Sequence, residues 1–150
     1  MTAREPEPTT LYFAYGSNLD GEHMAQLCPG AEAIATARAE GYRFRINQAG
    51  YATLVPEEGA TAYGLVWRVT PDHRRALDWY EEVEAGLYVP EIIEVELRDS
   101  AAERSLVYIA TDSTPGVPAI AYMQGILRAA RALGFPGSYV AELASWRPGQ

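Results

Sequence analysis

Cysteine is nearly absent from this chain of 150 residues: Cys28 stands alone. No internal disulfide can form, and a zinc-type cysteine cluster is excluded. Histidine is scarce too, and His23 and His73 among scattered carboxylates make no recognisable metal site. Basic charge is in deficit. Twelve basic residues against 20 acidic ones leave a formal net charge of -8, which argues against a nucleic-acid or anionic-membrane partner, since both require a basic surface. Met1 to Thr10 is polar, interrupted by prolines and without an apolar centre, so it is neither a signal peptide nor a membrane span. No phosphate-loop or dinucleotide fingerprint, internal repeat or low-complexity block occurs, and no cofactor is implied. What remains is a globular composition. Hydrophobic residues at 48% and charged residues at 21% match folded domains, and this length suffices for one core and one domain. The expected division is a loose tail over 1–10, a single domain over 11–146 and a short tail over 147–150, in the reducing setting of the cytoplasm.

The most informative stretch is Leu11-Tyr12-Phe13-Ala14-Tyr15-Gly16-Ser17-Asn18-Leu19. Leu11 to Tyr15 has the length and aromatic content of a buried strand, and Gly, Ser and Asn are residues that end strands. Glycine tolerates close backbone approach and positive φ, so amides at Gly16, Ser17 and Asn18 can point at one spot, with two polar side chains beside them. That outlines an anion or oxyanion cradle; an ordinary turn has the same composition. Asp20 to Leu27 reads as a short helix with Asn18 or Asp20 as its N-cap, which adds partial positive charge nearby.

Further along, Pro29-Gly30 breaks the chain, and a strand is expected from about Ala33. Gly41 to Asn47 alternates apolar and basic residues, which turns Tyr42, Phe44 and Ile46 inward. Gly50 to Pro56 predicts another short strand, closed by Pro56-Glu57-Glu58-Gly59. Thr61 to Val69 is the strongest strand and should lie centrally. Thr70-Pro71-Asp72 opens a helix with a capping threonine and a tolerated proline, and Leu77, Tyr80 and Val83 share its apolar face until Gly86. Tyr88 to Leu97 and Ser105 to Ala110 predict a hairpin, with Pro90 confined to an edge or bulge. After the loop Thr111–Pro118, Ala119 to Leu133 is amphipathic, with Ile120, Met123, Ile126 and Leu127 on one side. A last helix from Gly137 to about Ser145 packs Tyr139, Val140 and Leu143 while Glu142 stays wet. The pattern is that of one α+β domain.

Among the acidic residues, Glu81 lies one residue beyond Tyr80 and four beyond Leu77, near the apolar stripe, whereas Glu82 and Glu84 point elsewhere. Glu81 is therefore the carboxylate to expect partly buried. Burial raises a carboxyl pKa toward the value a general acid/base needs. Rival constellations are weak. Ser17 with His23 or His73 lacks a nucleophile elbow and a carboxylate orienter, and Cys28 after Leu27 fits a packed small residue.

Tyr15-Gly16-Ser17-Asn18 after an apolar strand, then Gly64-Leu65-Val66-Trp67, then Leu77-Asp78-Trp79-Tyr80-Glu81 and Gly86-Leu87-Tyr88-Val89, occur in one order. This ordered set resembles the gamma-glutamylcyclotransferase-like family, which includes gamma-glutamylamine cyclotransferases and plant AIG2-type proteins, over residues 10 to about 146. The resemblance implies a small, mostly antiparallel β-barrel flanked by helices. It also implies cyclisation of the glutamyl part of a small-molecule gamma-glutamyl amide to 5-oxoproline with release of an amine, without a cofactor. Glu81 would be the general acid/base, the loop Tyr15, Gly16, Ser17 and Asn18 would bind the glutamyl moiety through its carboxylate or its developing oxyanion, and Tyr88 and Tyr122 would line the pocket. One position departs from the family pattern: the residue after the catalytic Glu is typically Gly, and here it is Glu82. A non-catalytic small-molecule or protein-binding domain on the same fold is the alternative.

Overall fold

The protein is described by a computed structural model over residues 8–99 and 101–149; the first seven residues and the last lie outside it, and with them most of the expected N-terminal tail. The strands are β1 (Thr10–Ala14), β2 (Glu32–Ile46), β3 (Ala52–Val69), β4 (Tyr88–Leu97) and β5 (Ala102–Ala110). The helices are α1 (Gly21–Leu27), α2 (Pro71–Tyr80), α3 (Ile120–Ala132) and α4 (Gly137–Ala144), and a 3-10 turn spans Ser17–Leu19. The strands close into a barrel in the order β1-β3-β2-β4-β5. All neighbours are antiparallel except the closure, where β1 meets β5 in parallel at Tyr12 and Leu106. This is the α+β barrel that the resemblance implied, and β3 lies between β1 and β2, as its apolar content required.

The expected break between two strands in the region of β3 is corrected. The stretches around Gly50–Pro56 and Thr61–Val69 are a single strand, β3, and β2 likewise runs unbroken through the Ala-rich segment. The Pro56-Glu57-Glu58-Gly59 sequence, which has turn chemistry, is absorbed as a bulge: pairing passes from Tyr42↔Pro56 to Glu40↔Thr61, so residues 57–60 face Gly41 alone. Gly41 at φ 85° and Gly59 at φ 84° supply the left-handed backbone that such a kink needs. The chain bends there and keeps its partner.

Phe13, Phe44, Ile46, Leu54, Val66 and Leu106 fill the core and are almost wholly buried. Pro90 pairs on one side with β5, and β4 touches β2 only at Glu96 and Leu97, so the proline faces an edge without a ladder partner. The α2 N-terminus carries a capping box: Thr70 Oγ1 accepts from the His73 amide at 3.2 Å, and His73 Nδ1 accepts from the Thr70 amide at 3.1 Å. Helix α3 buries Met123 and Ile126, but Ile120 is exposed, because it is the first helical residue and lies outside the core cluster. Helix α4 packs Tyr139 and Leu143 into the core. Glu142, expected free in solvent, is ion-paired with Arg43.

Candidate active site

The strand β1 delivers the chain into the loop Tyr15–Asn18 at one end of the barrel. Gly64 of β3 permits this: a Cβ there would lie 2.4 Å from the Ala14 carbonyl oxygen and 2.7 Å from the Phe13 ring. Only glycine lets β1 and β3 approach so closely beside the loop. Of the two freedoms glycine allows at position 16, the close approach is the one used: φ is -121°, and a Cβ would sit 3.3 Å from that of Ala52. The amides of Ser17 and Asn18 open a 3-10 turn and so have no acceptor within it, while Asp20 caps the following helix by accepting from Glu22.

The Ser17 and Asn18 side chains are committed to the protein rather than free. Asn18 is only 2% exposed. Its Nδ2 donates to Tyr12 OH at 2.9 Å, its Oδ1 accepts from His23 Nδ1 at 2.7 Å, and its carbonyl accepts from Trp67 Nε1 at 3.2 Å. Ser17 Oγ is 3.1 Å from Tyr80 OH. The loop is therefore anchored by its side chains, while the Ser17 and Asn18 amides have no acceptor within the turn. These bonds also leave no hydrolase triad, since His23 serves Asn18 and His73 is spent on its cap and on the Pro29 carbonyl at 2.6 Å. Cys28 is buried, and burial pushes its thiol up to about 11, so it packs and does not react.

At the other side of the same cavity, α2 ends in a Schellman motif. The Glu82 amide bonds the Trp79 carbonyl at 3.1 Å and the Val83 amide bonds the Asp78 carbonyl at 3.0 Å, with Glu81 as C-cap. The residue after the C-cap must be left-handed, and Glu82 is so at φ 53°. The departure from glycine at this position thus changes the side chain and preserves the backbone. Held by this turn, the Glu81 carboxyl is partly buried and pushed up from an ordinary 4.5 to about 7 by that burial.

The cavity is about 350 Å³. Tyr15, Gly16, Ser17, Asn18, Glu81, Tyr88 and Tyr122, the seven residues singled out in the sequence, all line it. Sequence reasoning missed Tyr12, Tyr51, Tyr80, Tyr108 and Asn47. A signal for them existed: tyrosine buries its ring but needs a partner for its hydroxyl, and seven of the ten tyrosines converge here. Burial raises the pKa of Tyr12, Tyr15, Tyr80, Tyr88, Tyr108 and Tyr122, and the nearby Glu81 charge adds to each shift.

The hydroxyls are sorted by their partners. Tyr122 OH accepts from the Ala52 amide at 3.0 Å and Tyr12 OH accepts from Asn18, so both keep a proton to donate. Tyr88 OH donates to the Ala52 carbonyl at 2.6 Å, and Tyr108 OH donates to Asp78 at 2.6 Å, so both keep lone pairs to accept with. Tyr15 donates to the Tyr108 carbonyl. The cavity thus presents both hydroxyl donors and hydroxyl acceptors around the Glu81 carboxyl. Among the described residues no cluster of three or more His, Cys, Asp or Glu is placed to hold a metal ion, and no helix is long and apolar enough to cross a membrane.

Fold and cavity together define a small α+β barrel with a tyrosine-lined pocket at one end of the barrel. The family model described as gamma-glutamyl cyclotransferase, AIG2-like, matches residues 12–124, and the chain belongs to that family. The chain is 29% identical to a gamma-glutamylcyclotransferase of Mus musculus and 27% identical to one of Homo sapiens, covering 95% of this chain and 81% of each relative. A solved gamma-glutamyl cyclotransferase superposes with a TM-score of 0.89 at 26% identity over 95% of this chain and 90% of its own. A second structure, of a protein from Homo sapiens, gives 0.88 at 27% identity over 96% and 91%. The chain is an enzyme of the gamma-glutamylcyclotransferase class, not a non-catalytic binding domain on this fold.

Proposed function

We propose that this enzyme cyclises the glutamyl part of a gamma-glutamyl amide, forming 5-oxoproline and releasing the amine, with Glu81 as general acid/base. The observation that carries this reading is the meeting of one partly buried carboxyl with unpaired loop amides across a single cavity.

In the reaction Glu81 removes a proton from the substrate α-ammonium group. The freed nitrogen attacks its own γ-carbonyl carbon, a C–N bond closes the five-membered ring, and negative charge develops on the carbonyl oxygen. The amides of the loop and the free donors of Tyr12 and Tyr122 are suited to that oxygen or to the α-carboxylate. Glu81 then gives its proton to the departing nitrogen as the original amide bond breaks and the carbonyl re-forms, and the second proton of the attacking nitrogen passes to the released amine, which leaves as an ammonium. Atoms and charge balance without a covalent enzyme intermediate. Because nucleophile and electrophile share one molecule, the cavity works mainly by holding the substrate in its cyclising conformer. A pKa near 7 suits a group that must first accept and later return a proton near neutrality.

Release of 5-oxoproline from a panel of gamma-glutamyl amides tests this. The native enzyme turns over at least one member, and Glu81→Gln, folded by circular dichroism, loses on the order of 100- to 10,000-fold in kcat. The native kcat/KM falls below an apparent pKa near 7, a limb that residual Glu81→Gln activity lacks. A Glu81→Gln variant with native turnover rules this role out.

A further inference from the structure

The mouth of the cavity has a different character from its floor. Tyr12, Tyr15, Asn18 and Tyr108 at the floor are buried, whereas Ala49, Tyr51, Glu82, Leu87, Thr111 and Asp112 line the cavity and remain exposed. The reacting γ-carbonyl must reach Glu81 inside, so the substituent on the amide nitrogen has only the open side to occupy. Its surroundings are anionic. Glu82 and Asp112 both line that rim, and among the described residues no arginine or histidine lines the cavity at all. Arg45, which contacts the neighbouring loop, gives its Nη1 to the Ser113 carbonyl at 3.0 Å and is not part of the lining.

The Glu82 backbone and the Asp112 carboxylate are each held in place. The Schellman turn fixes the Glu82 backbone immediately after Glu81. Asp112 accepts from the Thr114 amide at 3.0 Å, and this bond holds its carboxyl below the usual range and therefore charged. A gamma-glutamyl amino acid carries a second carboxylate one carbon from the amide nitrogen, which forces a third negative charge against this rim without a cation to meet it. A leaving amine that ends in an ammonium reverses the sign, and its methylenes can lie on Tyr51 and Leu87, both about half exposed.

From this arrangement, and resting on the cyclotransferase reading above, we infer that the site selects gamma-glutamyl amides of amines that carry a positive charge and no carboxylate, with Glu82 and Asp112 as the specificity-determining residues. The shared glutamyl end cancels from the comparison, so selectivity reports the rim alone.

The test compares kcat/KM for gamma-glutamyl amides of three amines of similar length: diaminobutane (cationic), pentylamine (neutral) and gamma-aminobutyrate (anionic), with gamma-glutamylalanine as a fourth. The native enzyme prefers the cationic amide over the anionic one by about tenfold at low salt, with the neutral amide between them, and the gap shrinks as ionic strength rises. Glu82→Gly and Asp112→Asn each narrow the ratio severalfold, and the pair together nearly abolishes it. Glycine suits the left-handed backbone at position 82, so the first variant folds. Equal or better turnover of the anionic amides, or a ratio unmoved in both variants, overturns this inference and leaves the cyclotransferase reading standing. If the folded native enzyme turns over none of the four, both are overturned.

Discussion

At the scale of single residues, the site depends on two adjacent glutamates with opposite demands. Glu81 is useful because it is out of water, and this costs stability when it ionises. Its folded pKa lies above its unfolded one, so the native state holds the proton more tightly. The Glu81 contribution to stability is greatest below about pH 4.5 and is lost as pH rises toward about 7, with a difference of about 3 kcal/mol at most, less for the carboxyl's partial exposure. Urea titrations at pH 4.5 and pH 8 should show Glu81→Gln gaining stability relative to native at the higher pH only. Glu82 tolerates a φ of 53° that favours glycine. Glu82→Gly is therefore expected to stabilise the fold by about 0.5–1 kcal/mol, relief of left-handed strain outweighing the entropy of a more flexible unfolded chain. A drop in the thermal midpoint would show that the Glu82 side chain supplies packing that outweighs this strain.

At the scale of elements, the site is aimed by two junctions, the β1 end and the α2 end. The former relies on Gly64, whose missing side chain lets β1 lie against β3. Gly64→Ala must displace the Ala14 carbonyl or the Phe13 ring, both part of a packed core. A loss of about 1–3 kcal/mol is expected, accompanied by lost turnover because the Tyr15–Asn18 loop moves with β1. Denaturant midpoint and kcat measured on the same preparation check both halves. The α2 junction was partly legible beforehand. Thr70-Pro71-Asp72 announces its start and the Leu77 stripe its buried face, but the Schellman hydrogen bonds that orient Glu81 depend on a left-handed glutamate, for which the residue type carries no cue.

Across the whole molecule, one core cluster runs through all five strands and draws in residues of every helix. The cavity is walled by β1, the turns after β2 and α2, β4, β5 and α3. Site and fold should therefore be lost together. Thermal unfolding followed by tryptophan fluorescence and by far-ultraviolet circular dichroism is expected to give coincident transitions, because no separate unit exists among the described residues to melt first. A fluorescence transition well below the dichroism one would reveal an independently opening site.

Local chemistry written in the sequence determined much at this scale too: the buried strand before the Gly16 turn, the α2 cap, the hairpin of β4 and β5, and Glu81 as the carboxylate beside an apolar stripe. These depend on neighbours within a few positions, where periodicity and capping act. What only the tertiary structure decided depends on residues far apart in the chain. Barrel closure rests on β1 meeting β5 at Tyr12 and Leu106, and the unbroken β3 persists through a turn-like segment because β2 pairs on both sides of it. The partners of each tyrosine hydroxyl, the commitment of the Asn18 side chain to Tyr12 and His23, and the anionic rim of Glu82 and Asp112 were settled in the same way. Hydrogen bonds and charges act through space, and only the folded barrel brings those groups within a few ångströms of one another.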